Sequence, residues 1–244
     1  MATRLHVDAA LAVGQTLTLP DGAFRHWVQV LRAKPGDQAR LFNGHDDYEY
    51  RATLTEVSRR EACVRIDAVD TVQRESRLSL MLAQAVSKGD RMDYTLQKAV
   101  ELGVSRIQPL ISERSVVKLD AERWDKKLEH WQGVIASACE QSGRVRLPTL
   151  LPVQKLGAWL AEPTTESTML KLTLAPTASA ALRDLAPPSA ACLLIGPEGG
   201  LSDGEIAHSA QAGFVGLRLG PRVLRTETAG VAALAAMQAL WGDL

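Results

Sequence analysis

The chain has 244 residues, with 28 Lys and Arg against 28 Asp and Glu, so its formal net charge is zero. That balance argues against holding nucleic acid by overall charge alone, and no run reaches the roughly 18 apolar residues a membrane span needs. The N-terminus lacks a charged start followed by an apolar stretch and a cleavage site, so a cytoplasmic protein of one long domain or two modest ones is expected. In chain order, the first seventy or so residues read as β-rich. QTLTL, QARLFN, YEYRATLTEV and ACVRIDAV alternate apolar and polar positions between turn signals such as Pro35-Gly36-Asp37 and Asn43-Gly44. One helix interrupts them. Asp21 is the expected N-cap, Phe24, Trp27, Val28 and Leu31 recur at helical spacing, and Pro35-Gly36 should stop it.

From Arg77 onward the texture changes to alternating strands and helices. LSLMLAQAV reads as a buried strand, Lys88 to Leu102 as a helix closed by Gly103, and VSRIQPLI as the next strand, which together make a βαβ unit. A longer helix follows from Ala121 toward Gly143. Val153 to Leu160 predicts a helix, STMLKLTL a strand, Ala178 to Leu185 a helix, ACLLI a strand, Asp203 to Ala212 a helix and VGLRL a strand. An Ala-rich helix from about Glu227 to Trp241 ends the series. The fold class is therefore α/β. A small β-rich module, residues 1–72, precedes a mostly parallel α/β domain, residues 73–244. Cys63, Cys139 and Cys192 lie far apart in apolar runs, which fits buried thiols and neither a metal site nor a disulfide framework.

Two segments carry chemistry, IGPEGGLSDGEI from Ile195 and LGPRVLRTETAG from Leu219. Each packs Gly and Pro between an apolar run and a helical one, so each reads as a strand-to-helix junction that exposes backbone amides to a nucleotide-like ligand. In the first, Ser202 and Glu205 form a capping box. The spacing is not GxGxxG, and Glu198 would repel a pyrophosphate while suiting a cationic ligand. In the second, Thr226 or Thr228 is the expected helix cap, and Arg225 offers a planar fork to a phosphate or a polarised carbonyl unless it merely pairs with Glu227. A mild basic excess runs from Gln73 to Asp120 through Arg74, Arg77, Lys88, Arg91, Lys98, Arg106, Arg114 and Lys118, and reads either as a solvated face or as a nucleic-acid contact.

These two loops, with SKGDRMDYTLQKAVELGV from Ser87 and ACEQSGR from Ala138, resemble the signature of the RsmE family, 16S rRNA uridine N3-methyltransferases of the SPOUT superfamily. The resemblance spans nearly the whole chain. It implies an N-terminal PUA-like β-barrel, a SPOUT α/β domain with a C-terminal trefoil knot, a homodimer, S-adenosyl-L-methionine as cofactor, and 16S rRNA of the small ribosomal subunit as partner. Cofactor contacts are then expected from Leu172, Gly196, Pro197, Gly199, Gly200, Leu219, Gly220, Val223, Leu224, Thr226 and Thr228. Arg225 is the candidate for charge on the uracil oxygens, and Glu198 and Glu227 are candidate bases, with a role for Glu227 in holding Arg225 left open. RNA contacts are expected from Arg4, Arg25, Arg32, Lys88, Arg91, Lys98, Arg144 and Arg146. The N-terminal module departs from the family's more basic pattern, with nine basic against ten acidic residues over 1–72. A ribosome-assembly factor without a cofactor and a SPOUT enzyme acting on tRNA stand as rival readings.

Overall fold

The computed structural model describes residues 3–117, 120–162, 168–175 and 178–244. Lys118 and Ser167, the first residue of the expected STMLKLTL strand, lie outside them. The chain divides into two units, one of residues up to Glu75 with Ala136–Leu147, the other of Ser76–Ile135 with Pro148–Leu244. The segment Ala136–Leu147 thus groups with the first unit, although the sequence boundary puts it in the second.

In the first unit, β1 (Thr3–His6), β2 (Thr16–Thr18), β3 (Gln38–Phe42), β4 (Tyr48–Val57) and β5 (Ala62–Thr71) form a sheet of order β1-β3-β4-β5-β2. The alternation that predicts the strands also sets their faces: Ala62, Val64 and Ile66 point to the core while Arg65 and Asp67 do not. The core gathers Leu5, Trp27, Leu41, Leu54 and these residues. β1 escapes the sequence reading because four residues give too few alternations, and it pairs with β3 in parallel, Leu5 opposite Leu41. The helix between β2 and β3 starts one residue earlier than expected. Pro20 holds the N-cap position and its carbonyl accepts from the Phe24 amide, so Asp21 is the first residue of α1 (Asp21–Phe24), not its cap. The helix widens into a π-helical stretch, Arg25–Val30, and stops before Pro35 because Arg32 takes a left-handed φ of 58°.

One buried carboxylate organises this unit. Glu49 is almost fully enclosed and meets Arg4 Nε at 2.6 Å, Arg40 Nη1 at 2.8 Å and Arg74 Nη1 at 3.4 Å. Arg4 also donates to the carbonyls of Cys139, Glu140 and Arg144, and Arg74 to that of Gly143, so both arginines satisfy backbone groups around the helix end that stops at Ser142. Gly143 is required there, since its φ is 89° and a Cβ would lie 2.7 Å from Arg74 Nη1. Arg144 is buried and pairs with Glu75. Two of the expected RNA contacts, Arg4 and Arg144, are corrected accordingly: their guanidiniums are spent inside the unit and are not offered to a phosphate.

The second unit is built on β6 (Ser79–Ala85), β7 (Val104–Ile111), β8 (Thr149–Leu150), β9 (Gln154–Lys155), β10 (Leu170–Leu174), β11 (Ala190–Ile195) and β12 (Val215–Leu217). Their order is β12-β10-β11-β6-β7-β8, with β9 also on β7, and every pairing is parallel. β6 and β11 are buried along nearly their whole length, as a parallel sheet covered on both faces demands. The helices are α2 (Asp90–Glu101), α3 (Ala121–Ser142, whose residues from Ala136 group with the first unit), α4 (Leu156–Ala161), α5 (Asp203–Gln211) and α6 (Thr226–Trp241). α6 packs on α2 and β11. Two expected helices shrink. Gln154 and Lys155 are drawn into pairing with Leu110 and Ile111, which delays α4 to Leu156. Between Ala178 and Leu185 only Leu182–Asp184 makes a 3₁₀ turn, because Ala180 bridges to Leu217 and leaves too few residues for an α-helix.

Replacing Glu49 by Gln leaves the guanidiniums of Arg4, Arg40 and Arg74 around a neutral amide and should cost about 3 kcal/mol in urea denaturation. Burial pushes the Glu49 carboxyl up, but Arg40, Arg4 and Arg74 outweigh it and hold it below the ordinary glutamate value. A lowered folded value stabilises the protein above the unfolded pKa, near ~4.3, and that stability is lost as pH falls through the folded value. The variant should therefore show a flatter loss of stability below about pH 4.

Candidate active site

A cavity of about 580 Å³ opens in the second unit where β10, β11 and β12 end. Its size falls in the ~300–1,000 Å³ range of small-ligand sites. The position follows from topology. β6 leads to β7 on one side and β11 to β12 on the other, and neighbouring strands whose connections diverge leave a crevice at their carboxyl ends.

The turn after β11 forms one wall. At Gly196 a Cβ would sit 2.9 Å from the Leu201 amide nitrogen, so only glycine allows the turn to fold back on itself, and Gly200 adopts a φ of 68°. The predicted capping box is present: Ser202 Oγ accepts from the Glu205 amide, and Glu205 accepts from that of Ser202. Glu205 also accepts from the Glu113 amide at 2.8 Å, and Arg114 donates to the carbonyls of Gly199 and Leu201. Glu198 accepts from the Lys88 amide and from Arg91 Nη1, each at 3.0 Å.

The loop between β12 and α6 forms the facing wall. Gly220 takes a φ of 71° and its carbonyl accepts from Arg218. α6 starts at Thr226, with Arg225 in the N-cap position and no side-chain cap, so neither Thr226 nor Thr228 caps it. Thr226 does something else. Its hydroxyl donates to the Gly196 carbonyl at 2.7 Å and accepts from Gln84 Nε2 at 3.2 Å, which ties the two loops together.

Glu198, Gly196, Pro197, Gly199, Gly200, Leu219, Gly220, Val223, Leu224, Arg225, Thr226 and Glu227 all line the cavity. Two expected cofactor contacts do not. Leu172 is fully buried in mid-strand, paired with Leu193 and Val215, and β10 reaches the cavity two and three residues later through Leu174 and Ala175. Thr228 is exposed on α6 away from the lining. Arg91, Arg114, Arg218 and Arg222 line the cavity as well, with apolar walls from Ile195, Leu201 and Leu217. Sequence reading missed their convergence because they come from α2, from the segment after β7 and from the β12–α6 loop, which are far apart in the chain.

Charge in the cavity is distributed unlike the expectation. Arg225 is exposed and makes no ion pair among the described residues, whereas Glu227 approaches Arg91 at 4.0 Å. Of the two alternatives left open for Arg225, the pairing with Glu227 is not the one seen; Glu227 faces Arg91 instead. Glu227 Oε2 is buried without a hydrogen-bond partner. Burial pushes the Glu198 carboxyl up, but hydrogen bonds from its own amide, the Lys88 amide and Arg91 outweigh this and hold it below the ordinary value. A carboxylate held low is a weak proton acceptor at neutral pH, which disfavours Glu198 as a base.

Residues 74–238 match the RNA methyltransferase domain family, and residues 19–67 match the RNA methyltransferase PUA domain. A ribosomal RNA small subunit methyltransferase E from Buchnera aphidicola is 34% identical over 99% of this chain and 97% of that one, and the Bacillus subtilis protein of the same name is 31% identical over 91% and 89%. Among solved structures, a ribosomal RNA small subunit methyltransferase E from Neisseria gonorrhoeae bound to S-adenosyl methionine is 43% identical, with a TM-score of 0.92 and full coverage of both chains. A Legionella pneumophila protein in complex with the cofactor SAM is 44% identical, with a TM-score of 0.96 over all of both chains. The chain belongs to the ribosomal RNA small subunit methyltransferase E family.

Thr226→Val removes the hydroxyl that joins the loops and should lower stability by about 1–3 kcal/mol, because the Gly196 carbonyl loses its partner. Thermal and urea unfolding of the variant measure this directly.

Proposed function

We propose that this chain transfers a methyl group from S-adenosylmethionine to N3 of one uridine in the decoding region of 16S rRNA. The residues fit the cofactor on the chain's own geometry. Gly196 lets the turn fold back where a Cβ would meet the Leu201 amide, Gly200 supplies its left-handed φ, the apolar walls suit an adenosyl group, and the Glu198 and Glu227 carboxylates offset the arginines around a cationic sulfonium. Bound there, the cofactor supplies an electrophilic methyl group. Gly196, Pro197, Gly199, Gly200, Leu219, Gly220, Val223, Leu224 and Thr226 are the contacts we assign to it.

The single observation that carries the chemistry is Arg225, an unpaired guanidinium on the cavity wall between the loops. The uridine imide becomes nucleophilic only when its proton leaves, and negative charge then spreads to O2 and O4. A planar donor held at that wall stabilises this charge as it develops. Glu227, whose Oε2 is buried without a partner on the same wall, is the better placed of the two carboxylates to take the proton.

Exposed Arg25, Arg32 and Lys88 are the proposed phosphate contacts, while Lys98 and Arg146 reach RNA only by leaving Glu101 and Asp47. The order of β10, β11 and β12, with β11 turned inward and β12 at the edge, is compatible with threading of the C-terminal segment as a trefoil knot. Exposed Leu240 and Leu244 at the end of the Ala-rich α6 support a homodimer. Closure of the first unit's sheet into a barrel belongs with these proposals. So does a cytoplasmic site of action, and no helix among the described residues is long and apolar enough to cross a membrane.

Arg225→Ala should lower kcat on small-subunit RNA by roughly 10²–10³-fold while leaving cofactor affinity within about twofold. Single-turnover kinetics beside calorimetry with S-adenosylmethionine separate the two. Equal losses in both would assign Arg225 to cofactor binding and remove it from the uracil.

A further inference from the structure

We infer that Arg91 is a positioning residue: from the first turn of α2 it bridges Glu198 on one cofactor loop and Glu227 on the other, and so fixes the distance between them. The inference rests on the cavity being the S-adenosylmethionine site. Arg91 Nη1 lies 3.0 Å from Glu198 Oε1, and its Nε lies 4.0 Å from Glu227 Oε1. The two glutamates stand on opposite walls, one in the turn after β11 and the other in the first turn of α6.

The other cations of the cavity do not fill this role. Arg114 is engaged with the Gly199 and Leu201 carbonyls, Arg218 with the Gly220 carbonyl, and Arg222 and Arg225 make no ion pair among the described residues. A guanidinium donates from several nitrogens in fixed directions and reaches two carboxylates at once, which a lysine ammonium does less well. The Lys88 amide fixes Glu198 from the same side, so the start of α2 holds the Gly-rich turn at two points. Thr226 links the loops through Gly196, and Arg91 adds a second, electrostatic link across the cavity mouth. An Arg91 bound to RNA phosphate would have to abandon both glutamates, so this role replaces the expected RNA contact.

The test compares wild type, Arg91→Ala, Arg91→Lys, Glu198→Gln and the double variant Arg91→Ala with Glu198→Gln. S-adenosylmethionine affinity is measured by calorimetry, RNA affinity by filter binding and stability by thermal unfolding. Arg91→Ala should weaken the cofactor at least about tenfold with RNA affinity within about twofold, and Arg91→Lys should recover only part of the loss. The double variant should lose little more than Arg91→Ala alone, because the two side chains act as one unit. Cofactor affinity unchanged in Arg91→Ala with weakened RNA binding, or additive losses in the double variant, would overturn the inference. If wild type itself failed to bind S-adenosylmethionine, the functional reading would fall. The Arg91–Glu198 link would then be judged by the unfolding cycle, where non-additive losses keep it and additive losses overturn it.

Discussion

The site depends on one short contact, the Thr226 hydroxyl donating to the Gly196 carbonyl while it accepts from Gln84. The β11–α5 turn and the β12–α6 loop leave neighbouring parts of one parallel sheet, and nothing in strand pairing alone fixes how far apart they stand. A buried hydroxyl with both a donor and an acceptor partner fixes that separation with little freedom. The capping box at Ser202 then orients the turn, and Arg114 and Glu205 hold it against the end of β7. Preorganisation of this kind lets a cavity meet its ligand without ordering loops at the moment of binding.

Charge is handled by pairing, not by excess. The chain carries equal numbers of acidic and basic residues, yet the cavity gathers Arg91, Arg114, Arg218, Arg222 and Arg225 around two carboxylates. Most of these arginines are committed to carbonyls or to Glu198 and Glu227, so their fields are spent on architecture. Arg222 and Arg225 make no ion pair among the described residues, which leaves them available to a substrate. The first unit uses the same economy around the buried Glu49, where Arg4 and Arg74 satisfy backbone carbonyls at a helix end.

Much of the fold was legible because the strands of the second unit are continuous apolar runs and its loops carry Gly, Pro and a capping box. Ser202 and Glu205 are three residues apart, so their reciprocal bonds follow from local chemistry. Leu172 was misplaced because a strand's apolar run does not reveal which of its residues reaches the sheet edge; Leu174 and Ala175 do. Arg91 and Glu198 are 107 positions apart, and no periodicity connects them. Arg4 and Arg144 looked like surface cations since Lys and Arg usually are, but tertiary pairing with Glu49 and Glu75 drew them inward. The vanished helix at Ala178–Leu185 shows the same override: Ala favours helix, and a sheet-edge bridge at Ala180 took precedence.

The central claim is that these paired loops present a uridine N3 of 16S rRNA to a methyl donor. Nucleoside mass spectrometry of 16S rRNA from cells lacking this chain, with and without the restored gene, tests it most directly. The account predicts loss of 3-methyluridine from the decoding region and its return on restoration. Persistence of 3-methyluridine in the cells lacking the chain would contradict it.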